Sequence, residues 1–202
     1  SVPSVFGNQE MMGNSKIVLV TGGARSGKSD FAERYAAVLP GRHAYVATAT
    51  VSDEEMARRI ALHQKRRPAS WATWEVPDHL PAVLGDLCQT ADVVLVDCLT
   101  IYFSNYLWAH DGDDDETVID RALAELRAIV KGFRKAGVTA VFVTNELGCG
   151  IVPMEQVSRL YRDLIGRINQ EAAREADEVY VSVCGITTEW KHRAVILPEV
   201  KP

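Results

Sequence analysis

The sequence lacks any pair of cysteines at metal-binding or redox spacing. Its four, Cys88, Cys98, Cys149 and Cys184, lie far apart. That excludes a zinc knuckle and a CxxC redox centre and fits reduced thiols of a cytosol. It also lacks a positive excess: 22 Lys and Arg stand against 27 Asp and Glu, a net charge of −5. Nucleic acid and anionic membrane surfaces select clustered positive charge, so neither is expected as the primary partner. No apolar run approaches the ~20 residues a membrane helix needs. The longest aliphatic runs, 17–20 and 93–96, have strand length. Residues 1–15 show no basic region followed by a long apolar stretch, so they read as an N-terminal arm rather than a secretory signal. There is no internal repeat.

What is present is an alternation. From Lys16 onward, short Val/Ile-rich runs alternate with longer segments of helical period, the pattern of a mostly parallel sheet covered by helices. Strands are expected over 17–21, 44–48, 73–76, 93–97, 138–144 and 179–183, their apolar character suggesting burial on both faces. Helices are expected over 28–39, 53–66, 80–87, 100–108, 116–135 and 154–176. At 202 residues and 47% hydrophobic content, this reads as one α/β domain over 16–202, P-loop NTPase-like, with helices on both sheet faces.

The most specific motif is Gly22-Gly23-Ala24-Arg25-Ser26-Gly27-Lys28-Ser29, which fits GxxxxGK[ST] between a buried-type strand and a helical segment. Its glycines let successive backbone N–H groups point inward, and the helix N-terminus adds partial positive charge to the same anion site. Lys28 would reach the β- and γ-phosphates, and the Ser29 hydroxyl would ligate Mg²⁺. Asp97 ends the Val-rich run 93–96, at the strand edge where open α/β sheets place ligands. It either joins Ser29 in the Mg²⁺ shell or caps the next helix; the phosphate loop favours the metal role. A GTPase switch is disfavoured, because the strand over 93–97 ends Asp97-Cys98-Leu99-Thr100 without the DxxG of signalling GTPases, and no NKxD occurs.

Two further features invite opposing readings. The acidic stretch 111–116 could hold a metal, but acidic residues in a loop and first helical turn are better explained by solvation and the helix dipole. Ser52-Asp53-Glu54-Glu55 is a capping box that starts a helix with Met56, Ile60 and His63 on one face. A histidine on an apolar stripe is usually structural. Here Arg59, Arg66 and Arg67 surround it, favouring neutral, nucleophilic imidazole and offering donors to phosphate oxygens. His43, His79, His110 and His192 have no companion ligands and read as structural or solvent-facing.

The P-loop, the Ala47-Thr48-Ala49 strand end, Asp53-Glu54-Glu55-Met56 with Arg59, Ile60 and His63, Arg67-Pro68 with Trp71 and Glu75, and the stretch Thr144-Asn145-Glu146-Leu147-Gly148-Cys149-Gly150-Ile151-Val152-Pro153 occur in order. Together they resemble the bifunctional adenosylcobinamide kinase/adenosylcobinamide-phosphate guanylyltransferase family of cobalamin assembly, over 16–186. The resemblance implies two reactions. One phosphorylates the aminopropanol hydroxyl of adenosylcobinamide with ATP or GTP; the other transfers GMP from GTP to that phosphate through a guanylylated His63. It implies catalytic roles for His63 and Lys28. It also implies nucleotide contacts at Thr48, Ala49, Thr50, His63, Gln64, Lys65, Arg66, Glu75 and Asp97 beyond the P-loop, and a homotrimer with nucleotide sites near subunit boundaries, in the cytoplasm that the cysteine usage fits. The stretch 144–153 is expected to line the acceptor site or a subunit contact.

Two other functions fit the phosphate loop alone. A simple small-metabolite kinase would leave His63 structural, and a nucleotide-sensing module would turn nothing over. In the two bifunctional steps, in-line attack must reach a different phosphorus, γ for the kinase and α for guanylylation, so one nucleotide pose does not serve both.

Overall fold

A computed structural model describes residues 15–50, 68–110 and 112–198. Seven strands form one sheet: β1 (Ile17–Gly22), β2 (His43–Ala47), β3 (Ala72–Glu75), β4 (Val93–Asp97), β5 (Thr139–Asn145), β6 (Glu178–Val183) and β7 (Ile186–Glu189), in the order β3-β2-β4-β5-β1-β6-β7. All pairings are parallel except β6 with β7. Five helices of the described residues cover it: α1 (Lys28–Ala37), α2 (Leu80–Thr90), α3 (Leu99–Ala109), α4 (Asp115–Ala136) and α5 (Gln156–Glu175). The expected mostly parallel α/β architecture is the one observed.

The core divides by strand parity, because successive side chains on a strand face opposite ways. Val18, Val20, Leu95, Val141 and Val143 pack with Ala32, Tyr35 and Ala36 of α1. Leu19, Val94, Val96, Ala140 and Phe142 pack on the other face with α2, α3, α4 and α5. Both faces of the central strands are therefore dry, each large side chain contributing about 1.5–3 kcal/mol by burial. The expectation of two-sided burial fails at β3, whose residues are exposed or half-exposed. It is an edge strand, paired among the described residues only with β2, and Trp74 alone of its side chains is half-buried, against the core.

Other departures have local causes. The strand β7 was not expected; Cys184 and Gly185, both left-handed (φ +52° and +78°), turn the chain back so that 186–189 pairs with β6. Helix α5 starts at Gln156 rather than at 154, and Arg159 donates to the carbonyls of Pro153 and Met154 just before it. Helix α2 runs three residues past the expected 87. The acidic stretch does serve a helix start: Asp114 accepts from the Thr117 N–H at 3.0 Å as the α4 cap, with Asp115 and Glu116 in the first turn. Such a cap contributes ~1 kcal/mol.

Candidate functional site

Register assembles the site at the carboxyl edge of the sheet. Gly22 pairs with Asn145 and with Ser182, Asp97 pairs with Val143 and with Ala47, and Ala47 pairs with Glu75. The edge thus reads Glu75, Ala47, Asp97, the end of β5, Gly22 and Ser182. Strands lie ~4.8 Å apart, so Asp97 is two spacings, ~10 Å, from the β1 end, whereas Glu75 is four, ~19 Å. The described sequence-named residues therefore fall into a phosphate end (β1, β5, β4) and a far end (β2, β3).

At the phosphate end the loop after β1 curls tightly. Ser26 N–H donates to the Gly23 carbonyl at 3.3 Å and Phe31 N–H to Gly27 at 3.0 Å. Glycine is required twice. A Cβ on Gly22 would sit 2.5 Å from the Ser182 carbonyl oxygen, and Gly27 caps α1 at φ +94° with its would-be Cβ 3.1 Å from Gly185 Cα. The β6–β7 turn braces the loop, Gly185 N–H donating to Ser26 O at 2.8 Å. Gly23, Ala24 and Arg25 remain exposed, while Lys28 and Ser26 are buried and Ser29 is half-buried. Lys28 Nζ donates back to the Gly23 carbonyl at 3.1 Å, folding over the loop it would share with a polyphosphate. Burial pulls its ammonium below the usual lysine range, against the opposing influence of Cys98 and the Asp97 carboxylate. Ser26 Oγ is buried with no hydrogen-bond partner.

Asp97 and Lys28 share the α1 face. Val93 and Leu95 of β4 pack there, so Asp97 follows by alternation, and Tyr45 OH donates to its Oδ2 at 3.3 Å. The cap position of α3 falls on Cys98, which supplies no side-chain cap bond. The Cys98 thiol is fully buried and pushed up to about 12 by desolvation and the neighbouring Asp97 charge. It is therefore a neutral packing group rather than a nucleophile. One carboxylate and one hydroxyl are the hard oxygen donors that suit Mg²⁺, which keeps waters and takes its remaining ligands from phosphates. Among the described residues no cluster of three His, Cys, Asp or Glu could hold a metal unaided.

The far end is organised around Thr48, which is fully buried. Its Oγ1 donates to the Cys98 carbonyl at 2.9 Å and accepts from the Cys98 N–H at 2.7 Å. That commits the hydroxyl and leaves half-exposed Ala49 and exposed Thr50 facing the edge. Asn105 of α3 donates to the carbonyls of Thr48 and Pro77, both at 3.0 Å, tying the ends of β2 and β3 together. Glu75 is exposed at the end of β3. His63, Gln64, Lys65 and Arg66, with the capping box, lie outside the described residues.

The remaining histidines behave as expected. His43 stacks on Trp71 and meets the Ala36 carbonyl through Nε2 at 3.0 Å, and His110 stacks on Tyr106. His79 precedes α2, and His192 pairs with Glu189. Sequence reading missed the buried scaffold under the edge. Thr144 Oγ1 donates to Asn169 Oδ1 at 2.6 Å and lies 3.2 Å from Thr100 Oγ1, which accepts from the Asn145 N–H at 2.7 Å. Asn169 donates to the Asn145 carbonyl at 2.9 Å. Thr100 and Asn169 carry no motif signal; only their polarity inside apolar helical stripes distinguishes them.

The sequence profile of the CobU family, described as cobinamide kinase / cobinamide phosphate guanyltransferase, matches residues 18–190. A bifunctional adenosylcobalamin biosynthesis protein CobU of Salmonella typhimurium is 39% identical over 181 residues, 87% of this chain and 99% of that one. Its namesake in Escherichia coli is 38% identical, with the same coverage of each chain. The CobP protein of Pseudomonas aeruginosa is 40% identical over 83% of this chain and 93% of its own. Among solved structures, a KaiC-like protein of Pyrococcus horikoshii superposes with a TM-score of 0.44 at 14% identity, over 87% of this chain and 76% of that one.

Proposed function

Since the chain belongs to the cobinamide kinase / cobinamide phosphate guanyltransferase family, an enzyme family with both activities, we propose how its own residues divide the two reactions along the sheet edge. The observation that carries this is the convergence of the phosphate loop, Lys28 and Asp97 on one face at one edge, within a chain that matches the family nearly end to end.

In the kinase step, the adenosylcobinamide hydroxyl attacks the γ-phosphorus of ATP or GTP. Backbone N–H groups of Gly23, Ala24, Arg25, Ser26 and Gly27 and the α1 N-terminus hold the polyphosphate, and Lys28 compensates the charge that develops on it. Ser29 and Asp97 are the residues that would hold Mg²⁺, whose chemistry is to neutralise β- and γ-oxygens. In the transfer step, His63 attacks the α-phosphorus of GTP, pyrophosphate leaves, and GMP passes to adenosylcobinamide phosphate. Ala49, Thr50, Gln64, Lys65, Arg66 and Glu75 serve the nucleotide in this second pose, with Thr48 bracing the strand end. The ~14–19 Å between the β1 end and the β2–β3 end supports separate poses.

The protein works in this reading as a cytoplasmic homotrimer. The exposed thiols of Cys149 and Cys184 support a reducing compartment. Ile151 at 97% exposure, Met154 at 90% and Trp108 at 65% support a subunit contact at the loop 148–154. No helix of the described residues is long and apolar enough to cross a membrane.

Incubation with α-labelled GTP and with γ-labelled ATP plus adenosylcobinamide tests the division. Label on protein from the first and on the corrinoid from the second are expected. Corrinoid phosphorylation without any protein label would reduce the chain to a simple kinase, and tight nucleotide binding without turnover to a sensing module.

A further inference from the structure

Asn145 is a polar side chain at the phosphate end that neither the P-loop nor the metal pair uses. Its backbone is held on both sides, N–H on Thr100 Oγ1 and carbonyl under Asn169 Nδ2, and the next residue is fastened to the loop strand, Glu146 N–H donating to Gly22 O at 3.1 Å. Its side chain is not held. Asn145 Oδ1 is buried and has no hydrogen-bond partner, an arrangement that costs ~1–3 kcal/mol unless something supplies the missing bond.

Alternation fixes where this amide lies. On β5, Val141 and Val143 pack on the α1 face, while Thr144 turns to Thr100 and Asn169 on the opposite face. Asn145 therefore returns to the α1 face, the face of Lys28 and Asp97. Strand order puts it between them, since β5 separates the P-loop strand from the Asp97 strand and Asn145 is level with Gly22. In a triphosphate held by the loop, with Ser29 and Asp97 as the residues that would hold its Mg²⁺, the terminal phosphate would be the one directed toward β5 and β4. Oδ1 is an acceptor and a phosphate offers only acceptors, so the contact belongs to the N–H₂ end of the amide, which makes no hydrogen bond among the described residues and is a donor suited to a phosphate oxygen.

We infer that Asn145 is a γ-phosphate contact that distinguishes a nucleoside triphosphate from a diphosphate. This rests on the reading of the loop as a triphosphate site, and it adds the residue that reads the third phosphate. Lys28 and the loop amides grip the polyphosphate in both ligands, whereas Asn145 has a partner only when the γ-phosphate is present. The contact also gives product release a structural basis, because the diphosphate left by the kinase step loses it.

Calorimetric binding of ADP and of a non-hydrolysable ATP analogue, both with Mg²⁺, to wild type, Asn145→Ala and Asn145→Asp tests this. The wild type is expected to prefer the analogue, and Asn145→Ala to lose about ten- to a hundredfold of that preference while its ADP affinity stays within about twofold. Asn145→Asp, nearly isosteric but unable to donate when ionised, should lose more. Equal losses for both ligands would make Asn145 a structural residue and overturn the inference, as would an unchanged preference or a wild type without one. Failure of the wild type to bind either nucleotide would overturn the triphosphate-site reading itself. Melting temperatures of the variants near that of wild type exclude unfolding as the cause.

Discussion

The two ends of the carboxyl edge are built differently. At the phosphate end the site is mostly backbone, and its geometry is fixed from three sides: Ser182 and Gly185 crowd the loop glycines, Glu146 N–H ties β5 to β1, and the Thr100–Thr144–Asn169 network lies beneath. At the far end the chain is held by side chains reaching across, Thr48 onto Cys98 and Asn105 onto Thr48 and Pro77. Beyond these ties the edge is exposed, at Thr50 and Glu75. In the proposed division phosphate recognition is common to both reactions and its loop is preorganised, whereas the described residues assigned to the second pose, Ala49, Thr50 and Glu75, are half-exposed or exposed.

Breaking the shared end should cost most. Lys28→Ala is expected to depress both reactions by ~10²–10³-fold or more, since uncompensated phosphate charge costs several kcal/mol in the transition state. Steady-state assays of each step check it, and a variant impaired in only one would dissolve the idea of a shared cradle. A companion measurement uses the lysine's burial. Its ammonium is held below the usual range by desolvation, so the charged form costs the empty protein stability at pH values below its shifted pKa. Lys28→Met should melt no lower than wild type at neutral pH, yet lose the upward shift in Tm that saturating nucleotide produces, ~2.7 kcal/mol of ligand linkage at a hundredfold excess over Kd.

The brace is next. Gly22→Ala places a Cβ 2.5 Å from both the Ser182 carbonyl oxygen and Ser26 Oγ, and the backbone oxygen gives way only if the loop or β6 shifts. Nucleotide affinity should fall at least tenfold with a stability loss of ~1–3 kcal/mol; full affinity would show that the loop needs no such close approach. Beneath it, Thr144→Val leaves Asn169 and Thr100 without their shared partner and should cost ~1–3 kcal/mol in urea unfolding, with a smaller effect on ADP binding than Gly22→Ala has.

The smallest effect belongs to the opposite edge. The Arg42 guanidinium and backbone hydrogen bonds hold the Asp92 carboxyl down at about 2. A carboxyl depressed in the folded state contributes stability above its ordinary pKa and loses it as pH falls through about 2. Asp92→Asn should therefore lower Tm slightly near neutrality, less at high salt, and not at all at the acid end. Neither reaction should change.

The phosphate end was the legible one because its chemistry is written in consecutive residues. GxxxxGK[ST] needs its glycines at fixed spacing, and a Val-rich run ending in Asp97 announces a strand edge. The parallel core was equally readable, since fully buried strands leave continuous apolar runs. Long-range pairing was not readable. Nothing local says that β5 lies between β1 and β4, so the sequence could name the stretch 144–153 without showing that Asn145 stands level with Gly22. The hairpin β6–β7 was missed although Gly185 separates two β-branched runs, because its residues are mostly exposed and their alternation is weak. Thr48 shows the converse: its place beside the site follows from the strand end, but its committed hydroxyl follows only from the contact with Cys98.

The central claim is that guanylyl transfer can be removed while the phosphate end keeps working. Intact-protein mass measurement after incubation with GTP and Mg²⁺, run on wild type and His63→Asn beside the kinase assay, tests it most directly. The account predicts an acid-labile, base-stable GMP adduct on wild type, as a P–N bond requires, and no adduct on His63→Asn, which keeps much of its kinase activity because the cradle and the metal ligands remain. An acid-labile adduct that persists on His63→Asn would contradict it and move the nucleophile elsewhere, to His43 or His79 first.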